Sequence, residues 1–281
     1  MIEESVLERV LAAATRRGAT FAEVFAENKR SSSAVLDDGK VEELTSGRDR
    51  GAGIRVVVGE STGFAHTADL SEASLIATAE IAAAAARGTG SVSGPSVAAL
   101  SRNAATRPNV IELLPGGVPK ARKVELLTRA NDVARSQGAA ITQVMVRYSD
   151  SRRRILVANT DGTLADDDQV KTVFSISCVA TGDTGMQTGR ESVGHTVGFE
   201  LFDSVNVEEM ARTAAGRALT KLAARPAPSG QMAVVIGSGG GGVMFHEACG
   251  HGLEADLVAK GASVFANRIG EQVASPLVTL V

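Results

Sequence analysis

His246, Glu247 and His251 stand together in the run HEACGH, three residues beyond a glycine run of Gly237 and Gly239 to Gly242. Imidazole nitrogen is a good zinc donor, and a neighbouring glutamate can take the proton from a metal-activated water. These residues are the components of a hydrolytic zinc site. Their spacing is HExxxH, one residue longer than the common HExxH. On an ideal helix, positions i and i+4 lie about 40° apart and i and i+5 about 140°, from ~100° per residue. A regular helix therefore cannot aim both histidines at one ion. The spacing predicts a π-bulge or local unwinding between Ala248 and His251 in a helix beginning near Val243. Gly250 sits where that distortion should cost least. The competing reading is two unrelated surface or core histidines. Against it, the chain has only 4 histidines, and two of them flank this glutamate.

Other residues could do chemistry and have blander readings beside them. Gly237, Gly239 and Gly242 satisfy GxGxxG, the dinucleotide fingerprint. Too little chain follows for a mononucleotide-binding half, however, and the helix spends its first turns on His and Glu. Glu254 and Asp256 are either partners that hold an imidazole tautomer or solvated helix-end carboxylates. His66 and His195 read as ordinary strand histidines. Cys178 alternates with Ile176 and reads as core. The runs Arg152 to Arg154 and Asp166 to Asp168 flank one hairpin and read as solvated faces, or as pairs across it worth little at a surface.

The elements that must position this motif follow from periodicity and turn signals. Helices are expected at about 4–17, 70–87 (with Ser71 as cap), 118–137 and 206–223. Between them lie strand-like segments at 20–29, 33–37, 40–46, 52–58 and 62–67, then at 141–149, 153–158, 163–168, 170–180 and 185–200. Asp38-Gly39 and Asp161-Gly162 each separate alternating strands, a strong hairpin signal. The two sets are similar, so an internal duplication is expected, with units at about 1–87 and 118–223 joined by a surface linker over 88–117. The fold class is α+β: antiparallel sheets with helices on one face. The segment ARPAPSG (224–230) marks a boundary between an amino-terminal domain, 1–225, and a second domain, 226–281. The second opens on a strand at Met232–Ile236 and is expected to be mainly β.

Composition bounds the rest. With 44% hydrophobic and 22% charged residues, this is an ordinary globular chain; without tryptophan and with one tyrosine, its core must be aliphatic. A net charge of −3 makes no electrostatic case for nucleic acid or an anionic membrane. No apolar run is long enough to span a bilayer. The amino terminus reads as an amphipathic helix and not as a signal peptide. Two cysteines far apart suggest reduced thiols and a cytoplasmic protein.

The stretch VVIGSGGGGVMFHEACGHGLEAD (234–256) closely resembles the TldD/PmbA family of zinc metallopeptidases. So do Asn267, Gly270 and VASPLVT (273–279), and at the other end VEELTSGRDRGAGIRVV (41–57) and TGFAHT (62–67). The resemblance is to the metal-bearing TldD type and covers essentially the whole chain. It implies that His246 and His251 ligate Zn2+, that Glu247 is the general base, and that peptides or unfolded segments are the substrate. It also implies a dimer, with a second copy or with a TldE/PmbA-type paralogue. The family's third ligand is a cysteine in a later segment, and neither Cys249 nor Cys178 stands at its position. The chain is therefore expected to be a carboxy-terminally truncated subunit of a zinc-dependent peptidase; the alternative is a catalytically inactive fragment or a partner-binding subunit that lacks the third zinc ligand.

Overall fold

A computed structural model describes residues 1–86, 97–103 and 110–278. It divides into two compact units, Met1–Ala224 and Arg225–Val281.

The first unit opens with α1 (Glu4–Thr15), β1 (Phe21–Asp37), β2 (Lys40–Val58), β3 (Ser61–Thr67) and α2 (Glu72–Ala85). Ser71 caps α2 by accepting from the Ser74 amide. After the short β4 (Ser101–Asn103) come α3 (Lys120–Arg135), β5 (Ile141–Asn159), β6 (Thr163–Gly182) and β7 (Gly185–His195). A four-residue helix, α4 (Leu201–Ser204), precedes α5 (Val207–Leu222). The order helix, two long strands, short strand, helix thus occurs twice. One sheet carries all seven strands, in the order β3-β2-β1-β5-β6-β4 with β7 also on β6. Its central pair, β1 with β5, is antiparallel and in register from Glu23↔Asn159 to Asp37↔Met145. Among the described strands, only β4 runs parallel to its neighbour.

Both Asp-Gly pairs close hairpins. Asp38 (φ 51°) and Gly39 (φ 80°) form the two-residue turn with both residues left-handed that matches strand twist. In the second hairpin Asn159 Oδ1 accepts from the amides of Asp161 and Thr163, and Gly162 (φ 86°) takes the left-handed position.

Even-numbered residues of the long strands point to the helices: Ala22, Val24 and Ala26 in β1, Val144, Val146 and Tyr148 in β5, Phe174, Ile176 and Cys178 in β6. All helices that build the core therefore cover one face. They do so in two patches. α1 and α2 bury one cluster around Leu7, Leu11, Ile54 and Leu75, and α3 and α5 bury another around Leu127, Tyr148, Phe174 and Ala214. One close approach recurs in both halves. A Cβ on Gly63 in β3 would lie 2.0 Å from the Ala82 carbonyl of α2, and one on Gly189 in β7 would lie 2.0 Å from the Ala214 carbonyl of α5.

Several expectations need correction. Strands read as broken at 29–33, 46–52, 149–153 and 168–170 run unbroken. Apolar alternation stops there because the middle of the face has no helix over it, while the backbone ladder continues. Of the linker read at 88–117, residues 88–96 and 104–109 lie outside the described residues; 101–103 form β4, and Pro115–Gly117 a 3₁₀ turn. Met232–Ile236 is no strand, because it has no ladder partner among the described residues; Val235 is 99% exposed.

The second unit has α6 (Ser238–Phe245), a π-turn (His246–Gly250), a 3₁₀ turn (His251–Leu253) and α7 (Ala255–Ala259). α6 begins earlier than the expected Val243. None of the described residues of this unit is in a strand, and only Gly241 among them is buried, so the mainly β character read for 226–281 is absent from this stretch.

Candidate metal centre

α6 is made largely of glycine, the weakest helix former after proline, and takes Gly237 as its amino-terminal flank. At His246 the helix changes register. The His251 amide donates to the His246 carbonyl, five residues back, which defines the π-turn. One extra residue per turn brings i and i+5 to the same side. The rings of His246 and His251 meet edge to face, with centroids 4.4 Å apart and planes at 69°. The expected distortion of the helix is thus present.

Gly250 is not what permits it. Its backbone is ordinary right-handed helix (φ −58°, ψ −48°), and an added Cβ would make only ordinary contacts, with the His246 ring at 3.6 Å and the Phe245 carbonyl at 3.8 Å. The glycine that sequence reasoning missed is Gly252. A Cβ there would lie 2.8 Å from the Phe265 ring, while the Ser263 hydroxyl donates to the Gly252 carbonyl. The segment after α7 is therefore seated directly on the residue that follows His251. Only the small size of the residue following the second histidine hinted at this.

Glu247 Oε2 stands 3.8 Å from His251 Nε2, and ligand atoms of His246, Glu247 and His251 all lie within 4.8 Å of one another. Tetrahedral zinc with nitrogen at ~2.0–2.1 Å needs donors about 3.3 Å apart, so small side-chain rotations suffice. Glu254 Oε1 lies 2.7 Å from His251 Nδ1. When Nδ1 carries the proton it donates to this carboxylate, and Nε2 keeps a lone pair for a metal. The Glu254 hydrogen bond, then its charge, raises the His251 pKa above the usual imidazole value. Asp256 does not share this role; its carboxylate lies 3.9 Å from Lys260. Cys249 turns its thiol to the Phe245 carbonyl at 3.1 Å and stands outside the cluster. In the other unit, His66 stacks on Phe64 in β3, His195 ends β7, and Cys178 is buried.

The chain matches three family profiles of the PmbA/TldA metallopeptidases: domain 1 over 22–86, the central domain over 114–222 and the C-terminal domain over 229–281. It is 36% identical over 277 residues to a protein named metalloprotease TldD homolog from Haemophilus influenzae, covering 95% of this chain and 56% of that protein. It is 34% identical over 262 residues to a metalloprotease from Methanothermobacter thermautotrophicus, covering 93% and 56%. The chain thus spans little more than half the length of the curated relatives it matches. Among solved structures, TldE from Thermococcus kodakarensis shares the fold with a TM-score of 0.69 at 14% identity, over 96% of this chain and 60% of that one. Sequence profiles along nearly the whole length, together with close relatives of that name, establish that the chain belongs to the TldD/PmbA metallopeptidase family.

Proposed function

We propose that the chain is the metal-binding portion of a zinc-dependent peptidase that hydrolyses peptides or unfolded protein segments. The observation that carries this reading is the π-turn, which puts the His246 and His251 rings on one side with the Glu247 carboxylate beside them. Two imidazoles suit zinc better than calcium or magnesium, which prefer oxygen donors. His246 and His251 would hold the ion, which when bound supplies Lewis acidity to water and to the scissile carbonyl. Glu247 accepts the proton of the attacking water and returns it to the leaving amine, a role worth ~10²–10⁴-fold in rate. Glu254 keeps His251 in one tautomer and one ring orientation.

Catalytic zinc sites normally use three protein ligands and a water. The additional length of the relatives is where a third ligand, a cysteine by family resemblance, is expected. Pairing with a second copy or a TldE/PmbA-type paralogue follows from the same resemblance. Two free thiols support a reducing, cytoplasmic setting, and no described helix is long and apolar enough to cross a membrane.

The test is a zinc titration and a peptide-hydrolysis assay of the 281-residue chain, alone and with the carboxy-terminal half of a TldD-type relative added. Alone, it should bind zinc weakly and leave peptides intact. With the added half, zinc should become stoichiometric and hydrolysis should appear. Glu247→Gln should then stop hydrolysis and keep zinc, whereas His246→Ala should lose both. Wild-type rates in the Gln variant would remove Glu247 from the mechanism.

A further inference from the structure

The helix-bearing face of the large sheet is bare along its middle, between the α1–α2 patch and the α3–α5 patch. Even-numbered residues there keep the inward direction of their apolar neighbours but change in kind. In β1 the series Ala26, Asn28, Arg30, Ser32, Ala34 runs from core to core through polar residues. Arg30 pairs in register with Arg48 of β2 on one side and Arg152 of β5 on the other. The result is a cleft of about 770 Å³, walled on one side by the 114–118 segment and the start of α3.

Its charge is one-sided. Arg30, Arg48, Arg152, Arg154, Lys120 and Lys123 line it, and Asp150 is the only carboxylate among the lining residues. Asp150 is already taken: Lys123 Nζ lies 2.6 Å from its Oδ2, and both side chains are more than nine-tenths buried at the cleft floor. Ser32 Oγ joins the same pair, at 2.9 Å from Nζ. Asp168, beside the cleft, takes up Arg152 by accepting hydrogen bonds from its Nε and Nη2. Among the described residues Arg30 and Lys120 have no carboxylate partner, and Arg48 has only the Asn28 side-chain oxygen at 3.0 Å. Three cations facing a common floor repel one another. That arrangement is relieved by an oxyanion, and a guanidinium fork fits one bidentately. The lining contains no aromatic ring on which bases could stack, and the volume is that of a small-ligand site.

We propose that this cleft is a binding site for a small ligand bearing a carboxylate or phosphate group, held by Arg30 and Arg48 above the Lys123–Asp150–Ser32 floor. The site belongs to the first unit and does not depend on the zinc reading.

The experiment is calorimetric titration of the full chain with inorganic phosphate and, separately, with glutarate, at low salt. We expect saturable one-to-one binding of at least one probe. It should weaken at least about tenfold in an Arg30→Gln, Arg48→Gln double variant, as expected for loss of charge-assisted hydrogen bonds. It should also weaken with added chloride salt and persist in His246→Ala, which separates it from the metal centre. Preference for phosphate points to a phosphorylated small molecule, and preference for glutarate to a carboxylate-bearing one. No saturable binding of either probe up to ~10 mM, a very weak affinity, overturns the proposal. So does wild-type binding by the double variant when circular dichroism shows it folded.

Discussion

Nδ1 of His251 lies 2.7 Å from Oε1 of Glu254, one helical turn further along the chain. This contact decides which ring nitrogen is available, because a proton held on Nδ1 leaves Nε2 on the side of Glu247. It also decides when. The hydrogen bond, followed by the carboxylate charge, favours protonated imidazole in the folded chain and raises its pKa. A raised pKa stabilises the fold fully below the ordinary imidazole value of ~6.5 and ceases to do so as pH rises through the folded value. Zinc competes with that proton, so affinity should climb with pH across the same window.

Glu254→Gln separates these effects. In metal-free chain followed by NMR, His251 should titrate at lower pH than in the wild type, since the variant keeps a hydrogen-bond acceptor but loses the charge. Zinc affinity at neutral pH should fall ~10–100-fold, as for other partners of ligating histidines. An unchanged midpoint would show that the carboxylate does not act on this ring.

The two glycines of the motif should behave in opposite ways. Gly250 is right-handed and an added Cβ would make only ordinary contacts, so Gly250→Ala should be tolerated and should stabilise the turn by about 0.4–1 kcal/mol through the unfolded state. Gly252→Ala must displace Phe265, 2.8 Å from the added carbon, and should weaken zinc binding. Zinc titrations of the two variants check this; equal affinities would mean the Phe265 seat is immaterial to the site.

The histidine cluster was legible because a spacing carries geometry: two histidines five positions apart share one side of a helix only if it is distorted, whatever surrounds them. Asp38-Gly39 was legible for the same reason, since few residues accept two successive left-handed conformations. Signals were lost where a residue's meaning depends on distant partners. Met232–Ile236 has strand composition but no neighbour, and Gly252 matters only through Phe265. Lys123 was readable in principle. It falls three and four residues before the buried Leu126 and Leu127, and Asp150 continues the inward parity of Val146 and Tyr148. Two charges on apolar stripes are a sign of a buried pair, but only when both elements are known to pack together.

The two cysteines should differ in reactivity. Burial pushes the Cys178 thiol up to about 11, partly offset by Arg135, whereas Cys249 is partly exposed. Alkylation at pH 8 should label Cys249 and spare Cys178 until the chain unfolds. The raised value also carries a stability term of known sign. It is complete below the unfolded thiol pKa near 9 and is lost as pH rises toward 11, because only the unfolded chain releases the proton there. Equal labelling rates in native protein would contradict the burial of Cys178.

Lys123 and Asp150 make the last prediction. Their side chains are 5% and 8% exposed and 2.6 Å apart, with Lys123 also 5.0 Å from the centre of the Tyr148 ring. Burial, and then Asp150, holds the Tyr148 hydroxyl firmly protonated, so the tyrosine cannot replace the carboxylate as a counter-charge. Removing one member of the pair leaves an uncompensated charge under α3, which costs ~3–5 kcal/mol. Removing both together leaves no such charge, and an apolar pair of similar volume is often neutral or better. Lys123→Met and Asp150→Leu should therefore each lower the urea midpoint sharply. The double variant should recover most of the loss, giving a coupling energy of several kcal/mol in a double-mutant cycle. Because the pair forms the floor of the arginine-lined cleft, the double variant also shows whether stability and anion binding are separable there. Additive losses across the cycle would mean that the two side chains are stabilised independently and that the pair is incidental to the packing of α3 on β5.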